Sequence, residues 1–275
     1  MKFLFDSLSK AGGQMQRRNF FQVSGAAAIG SAMSSAMAAP GAVPKYFLLE
    51  QWYLKNGTQG ARMAAYLKAG PMESAGRLKI AGPMVVLEAL VAPHMPQVAC
   101  LTPYGSMEEI REVREKRAGD EKFQAAVGAW EQGEEAPYEH YSEVLLETTP
   151  YMTPMIDTLQ YRVVPRVFEL RVYHSPTEKQ LKALHERFAG PEIKIFARCG
   201  IRPVLYSSTL IGPNKPNLVY LTPFENLAAR EKAWAAFSAD PEWVKVRAES
   251  IAKSGQISSV SQIALYKAAE YSPLR

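Results

Sequence analysis

Proton transfer near neutral pH calls for imidazole, and this chain carries four: His94, His140, His174 and His185. His94 falls in a turn between two β-rich runs and His140 in an acidic, loop-like stretch, so both read as surface residues. His185 borders the apolar face of a helix, where a hydrogen-bonded packing role is the simpler reading. His174 ends a strand and is the one placed to act as acid or base near the mouth of an enclosed sheet. A second kind of chemistry, ligand capture by convergent polar groups, is suggested by the run Val167 to His174, where Phe168, Leu170 and Val172 alternate with Glu169, Arg171 and Tyr173. If the apolar set packs on helices, the polar set faces an interior. In an earlier strand the same face carries Leu48, Glu50 and Trp52. Glu50, Trp52, Glu169, Arg171 and Tyr173, with Tyr206 and Glu88 more weakly from other strands, would then line a half-apolar cavity suited to a small ligand. The alternative is an interior Glu–Arg ion pair, since buried charges must be paired.

No phosphate-binding loop, dinucleotide fingerprint, H-E-x-x-H or G-x-S-x-G stretch is present. Nucleotide-dependent, zinc-dependent and hydrolytic mechanisms lose their usual support, no catalytic residue is assigned, and neither a metal nor a cofactor is expected. Cys100 and Cys199 are the only cysteines; no zinc spacing connects them, and a disulfide between them is open in an oxidising compartment. Of the formal charge of +5, Lys2, Lys10, Arg17 and Arg18 against Asp6 place most in the first 38 residues. The remainder is nearly neutral, which argues against a nucleic-acid partner. The run Glu108 to Arg117 mixes both signs and reads as a solvated helix face.

That N-terminal stretch has its own logic. Gln16-Arg17-Arg18-Asn19-Phe20-Phe21 pairs two arginines with two aromatics, as twin-arginine signals do. A weakly hydrophobic stretch, Ser24 to Met37, follows, and Ala36-Met37-Ala38 supplies small residues for cleavage between Ala38 and Ala39. Its serines dilute it too far for a membrane span. Residues 1–38 are expected to direct export to the periplasm, engaging the translocation machinery and signal peptidase only in transit. Met15 sits where such a signal normally begins, so Met1 and Met15 are alternative starts.

The elements that would hold these side chains recur. Shifting the sequence by 120 residues aligns Ala69–Tyr104 with Ala189–Phe224 without gaps, with ten identities in 36 positions, five of them prolines. Proline fixes φ and lacks an N–H, so turns recur at the same places. Each copy reads strand, helix, strand, strand, helix, strand. In the second, Ser175-Pro176-Thr177-Glu178 predicts a helix start with Ser175 as N-cap. Leu181, Leu184, His185 and Phe188 share one face, and Gly190-Pro191 breaks the helix. In the first, one helix is expected over Met107–Trp130. This order is that of a ferredoxin-like unit, with helices on one face of the sheet. The expected fold class is α+β: two tandem βαββαβ modules, residues 45–150 and 166–273, joined by a linker over 151–165 and forming an α+β barrel within one chain.

Phe168-Glu169-Leu170-Arg171-Val172-Tyr173, the stretch Ala233-Trp234-Ala235-Ala236-Phe237-Ser238-Ala239-Asp240-Pro241-Glu242-Trp243, and the ending Glu270-Tyr271-Ser272-Pro273 resemble NIPSNAP-family proteins. The resemblance implies a dimeric α+β-barrel fold of unsettled biochemical activity, shared by analogy with small cofactor-independent monooxygenases and isomerases. The chain departs from the family where members often carry histidine, having Ala189-Gly190-Pro191 and Cys199, so no histidine chemistry is carried over. Trp234, Phe237 and Trp243 read as helix-packing residues and Asp240 as a cap. Two functions stay open: binding or transforming a small apolar or aromatic molecule in the lumen, or a non-enzymatic binding scaffold, either of them in a protein that can form homo-oligomers.

Overall fold

Two four-stranded antiparallel sheets, one from each half of the chain, share their edges. The computed structural model describes residues 43–152 and 164–275. Arg17, Arg18, Phe20, Phe21, the Ala38–Ala39 junction and most of the expected linker lie outside the described residues. The first half runs β1 (Tyr46–Tyr53), α1 (Gln59–Leu67), α2 (Glu73–Leu78), β2 (Val85–Val91), β3 (Gln97–Tyr104), α3 (Met107–Ala118), α4 (Glu121–Glu131) and β4 (His140–Thr148). The second runs β5 (Val167–His174), α5 (Glu178–Arg187), α6 (Ile193–Arg198), β6 (Leu205–Ile211), β7 (Asn217–Phe224), α7 (Leu227–Ala239), α8 (Pro241–Ser254) and β8 (Val260–Ala268).

The repeated punctuation acts in the same way twice. Gly70-Pro71 and Gly190-Pro191 each sit in a widened helical turn, Lys68–Met72 and Phe188–Glu192, that links the first two helices of a module. Proline removes one i→i−4 donor, and the helix bends and resumes where an outright stop was expected. The second helical pair begins with a cap in both copies: Ser106 accepts from Glu109 N–H at 3.1 Å and Asn226 from Ala229 N–H at 2.8 Å. Asp120 and Asp240 do the same for α4 and α8. The Asp120 cap is why the helix expected over Met107–Trp130 is two helices. Helix α5 starts later than expected, with Thr177 flanking it; Ser175 turns away and donates to the Ile257 carbonyl at 2.6 Å.

The strand order is β1-β3-β2-β8-β5-β7-β6-β4, closed on itself. Each half has the ferredoxin-like order, and the halves join at two seams, β2–β8 and β4–β6, all pairs being antiparallel. A register shift marks each seam, between Ala89 and Val91 and between Leu145 and Leu146, which adds the local bend that closure requires. Closure leaves no free edge.

Closure gives the strands an enclosed inner face, and the helices cover the outer face of most of them, that of β8 staying largely exposed. One apolar cluster draws on all eight strands and on no helix, with Phe47, Leu87, Leu101, Leu146, Phe168, Leu205, Leu221 and Tyr266 among its members, and this is the barrel interior. The other clusters combine helix residues with the opposite strand parity: Leu184, Phe188, Phe196 and Phe237 with Tyr206 and Tyr220 in the second half, Met63, Leu67 and Trp130 with Trp52 and Cys100 in the first. Phe168, Leu170 and Val172 therefore face the lumen, and Glu169, Arg171 and Tyr173 lie between sheet and helices. The expected orientation is inverted. On the outer face a long helix side chain supplies the polar partner, Arg230 of α7 to Glu169.

Candidate functional site

The inversion relocates most of the expected cavity. Glu169 is completely buried beneath α7, where it pairs with both Arg171 and Arg230. Arg171 also donates to the Tyr173 hydroxyl at 3.0 Å and lies 3.6 Å above the Trp234 ring. This is the interior ion pair weighed at the outset, extended by a second arginine and placed outside the lumen. Glu50 and Trp52 sit under the helices of the first half and Tyr206 under those of the second, so none of the three lines the lumen. The Glu50 carboxyl makes no hydrogen bond or ion pair among the described residues. Burial, and next Glu143 opposite it on β4, push its pKa up to about 7. Cys100 and Cys199 are free thiols. Trp234, Phe237 and Trp243 pack on one another, with Asp240 capping α8, which makes the most recognisable stretch of the sequence structural.

His174 ends β5 with the parity of Phe168, Leu170 and Val172, its Nδ1 3.2 Å from the carbonyl of Asn214, a residue that lines the lumen cavity. Two histidines read as unrelated surface residues meet at the same end. The His94 and His140 rings lie 5.4 Å apart, both against Tyr53, with His140 stacked on it at 4.4 Å. His94 Nε2 is 3.2 Å from the Leu54 carbonyl. A carbonyl only accepts, so neutral His94 carries its proton on Nε2 and presents Nδ1 as a base. The turn after β2 and the start of β4 bring His94 and His140 together against Tyr53, and their separation in sequence hid it.

Below the mouth lies a cavity of about 250 Å³. Leu49, Val144, Leu146, Leu170, Val172 and Val219 form its apolar wall. Gln51, Gln97 and Tyr266 form its polar centre: the Tyr266 hydroxyl donates to Gln97 Oε1 at 2.5 Å, and Gln51 Nε2 lies 3.4 Å from both. Burial raises the Tyr266 pKa to about 12, keeping it a neutral hydroxyl. Thr209, Asn217 and Gln262 add further polar groups, and among the described residues no charged side chain lines the cavity. These residues went unnoticed because amides in a strand carry no charge or motif. Their one signal was parity: Gln51 shares a face with Leu49.

A larger cleft of about 810 Å³ lies outside the barrel between α6 and α7, with Tyr206 on its wall. It is bounded by Met152 and Arg166, which flank residues 153–163, so its outline is incomplete among the described residues. Among the described residues there is no cluster of three or more metal-ligating side chains, and no helix long and apolar enough to cross a membrane.

Residues 168–273 match the sequence model of the NIPSNAP family. Over most of its length the chain is similar in structure to a Lactobacillus acidophilus protein named provisionally as a monooxygenase. That match has a TM-score of 0.50 and 8% identity, covering 85% of this chain and 100% of the other. An anthrone oxidase-like protein gives a TM-score of 0.50 at 14% identity, covering 84% of this chain and 94% of the other. At such identities the likeness concerns the fold alone. A NIPSNAP-like domain protein from Burkholderia xenovorans is 26% identical over 40% of this chain and 91% of its own, with a TM-score of 0.34. Among curated proteins nothing matches.

Proposed function

We propose that this chain, a NIPSNAP-family protein by its second module, binds a small, uncharged and largely apolar molecule in the barrel lumen. The observation that carries the reading is the cavity of about 250 Å³ whose polar centre is an amide–phenol cluster and whose wall holds no charge. A charged ligand would be stripped of water without a counter-charge, at a cost of several kcal/mol. A cavity of roughly 150 Å³ already takes up benzene, so this one suits a compound of one or two rings with a single hydroxyl or carbonyl. Tyr266 and the two amides offer both donors and acceptors to such a group. His94 Nδ1 at the mouth supports proton transfer to a ligand group that reaches it. Export by the twin-arginine route belongs to the same proposal and rests on Arg17, Arg18, Phe20, Phe21 and the Ala38–Ala39 junction.

Titrating the full chain with a panel of phenols and naphthols by calorimetry tests the binding. Gln51→Leu and Ala264→Leu should each weaken binding about tenfold or more while leaving the fold intact, the first by removing a polar partner and the second by narrowing the lumen. Binding unchanged by both substitutions would place the ligand elsewhere. For export, replacing Arg17 and Arg18 with lysine should leave uncleaved precursor inside the cell; processing at Ala38 unaffected by that change would overturn the signal.

A further inference from the structure

At the β4–β6 seam, outside the barrel, Ser208, His185 and Tyr151 form a continuous chain. Ser208 Oγ is 3.0 Å from His185 Nε2, and His185 Nδ1 is 2.7 Å from the Tyr151 hydroxyl. Ser208 comes from β6, His185 from α5 and Tyr151 from the segment after β4, and each is partly open to solvent. We propose that Ser208 is an acyl-accepting nucleophile, with His185 as its general base and Tyr151 as a positioning residue, and that it takes acyl groups from small activated aryl esters.

One tautomer of His185 gives this chain the geometry of a relay. With the proton on Nδ1, the Tyr151 oxygen accepts from Nδ1–H at 2.7 Å. The Nε2 lone pair then faces the Ser208 hydroxyl, the arrangement a base–nucleophile pair needs. Burial lowers the His185 pKa, with Glu178 on its own helix opposing, so the ring is neutral and able to accept a proton at pH 7. Glu147 stands opposite Ser208 on β4. In the step itself, Ser208 Oγ bonds to the ester carbonyl carbon while its proton passes to His185 Nε2. Collapse of the adduct breaks the bond to the aryloxy oxygen, which leaves as the phenol with that proton. The other seam carries no such chain: Ala65, Glu88 and Tyr271 occupy the corresponding positions under the repeat, and Glu88 pairs with Lys267 at 2.9 Å.

The test is incubation of the full chain with 4-nitrophenyl acetate, with nitrophenol release followed and the acetylated peptide located by mass spectrometry. Acetyl should appear on Ser208, be absent in Ser208→Ala, and form about a hundredfold more slowly in folded His185→Gln. Tyr151→Phe should slow acylation and move the inflection of its pH profile downward, because the charged imidazole loses an acceptor; a merely packing tyrosine would leave the inflection in place. Should His185→Gln fail to fold, the wild-type rate against pH decides. A rise through an inflection below the usual histidine value supports the relay, and a flat profile overturns it. Acetylation confined to surface lysines, or equal at Ser208 with and without His185, also overturns it.

Discussion

The two modules repeat the same elements and solve the same burial problem with opposite charges. Under the helices of the second, Glu169 holds Arg171 and Arg230, and Trp234 covers the guanidinium of Arg171. In the first, the strand that corresponds carries Leu48 where the second has Glu169, and Glu50 where it has Arg171. The nearest cations to Glu50 are committed elsewhere: Arg114 to Glu143 at 3.0 Å, Arg117 to Ser74 and the Pro71 carbonyl at 3.1 Å each. One module keeps its buried charge by pairing it. The other keeps a buried carboxyl by letting it hold its proton near neutrality. The fold therefore dictates that this position be enclosed, while its charge is left to the side chains of the covering helices.

The largest expected effect tests the paired side. Glu169→Leu takes the buried carboxylate from two arginines that are only 11% and 14% exposed, leaving Arg230 with the exposed Glu231 and Arg171 with the Tyr173 hydroxyl. It should cost about 3–5 kcal/mol in chemical denaturation. The double change Glu169→Leu with Arg171→Glu copies the first module and should recover part of that loss, the new carboxylate being within the range of Arg230. A cost below about 1 kcal/mol for the single change would mean that solvent, not Glu169, satisfies these arginines.

The unpaired side should respond to pH with the opposite sign from an ordinary ion-paired carboxylate. The pKa of Glu50 is raised on folding from 4.5 to about 7, so between those values the native state binds the extra proton. Stability contributed by the protonated form is lost as pH rises through this window. Glu50→Gln should be nearly neutral at pH 4.5 and stabilising by about 2–3 kcal/mol above pH 7, read from denaturation at the two pH values. An equal effect at both would show that folding leaves the pKa of this carboxyl where it is in the unfolded chain.

The smallest effect tests where the modules agree. Asp120 and Asp240 each cap the last helix of their module and pair with an arginine from its second helix, Arg77 of α2 and Arg198 of α6. Asp120→Ala and Asp240→Ala should lower the melting temperature by similar small amounts. Both carboxyls titrate below their usual value, held down first by their arginines, and Asp240 falls to about 2. The difference between wild type and either variant should hold above about pH 4 and fade as pH drops toward 2. Unequal penalties would mark one module as the stability-determining half.

Much of this architecture was legible in the sequence. Ten aligned identities, rich in proline, announced the duplication, and the order of apolar runs announced the strand order of each copy. What could not be read was which face of a strand points inward. Alternation separates two faces but labels neither when both are buried, and Phe168, Leu170 and Val172 fit a lumen as well as a helix-packed core. Glu169 was misplaced because its partner Arg230 lies 61 residues away on a helix whose approach is a tertiary fact. The meeting of His94 and His140 was hidden for the same reason, since residues 46 positions apart share a neighbourhood only once β1 has paired with β4. Gln51 and Gln97 carry neither charge nor motif, and among the described residues no charge lines the lumen to point to them.

Closing the barrel within one chain has a consequence for the shape of what it can hold. Two identical chains joined about a two-fold axis must offer every lining residue twice, so a bound molecule meets rotated duplicates or sits in two orientations at once. Peptide linkage removes that obligation. Gln51 faces a lumen in which its counterpart is Val172, and Tyr266 one in which its counterpart is Leu146. Each half was thereby free to drift alone, and a lopsided guest, polar at one end and greasy at the other, has a single way to lie down.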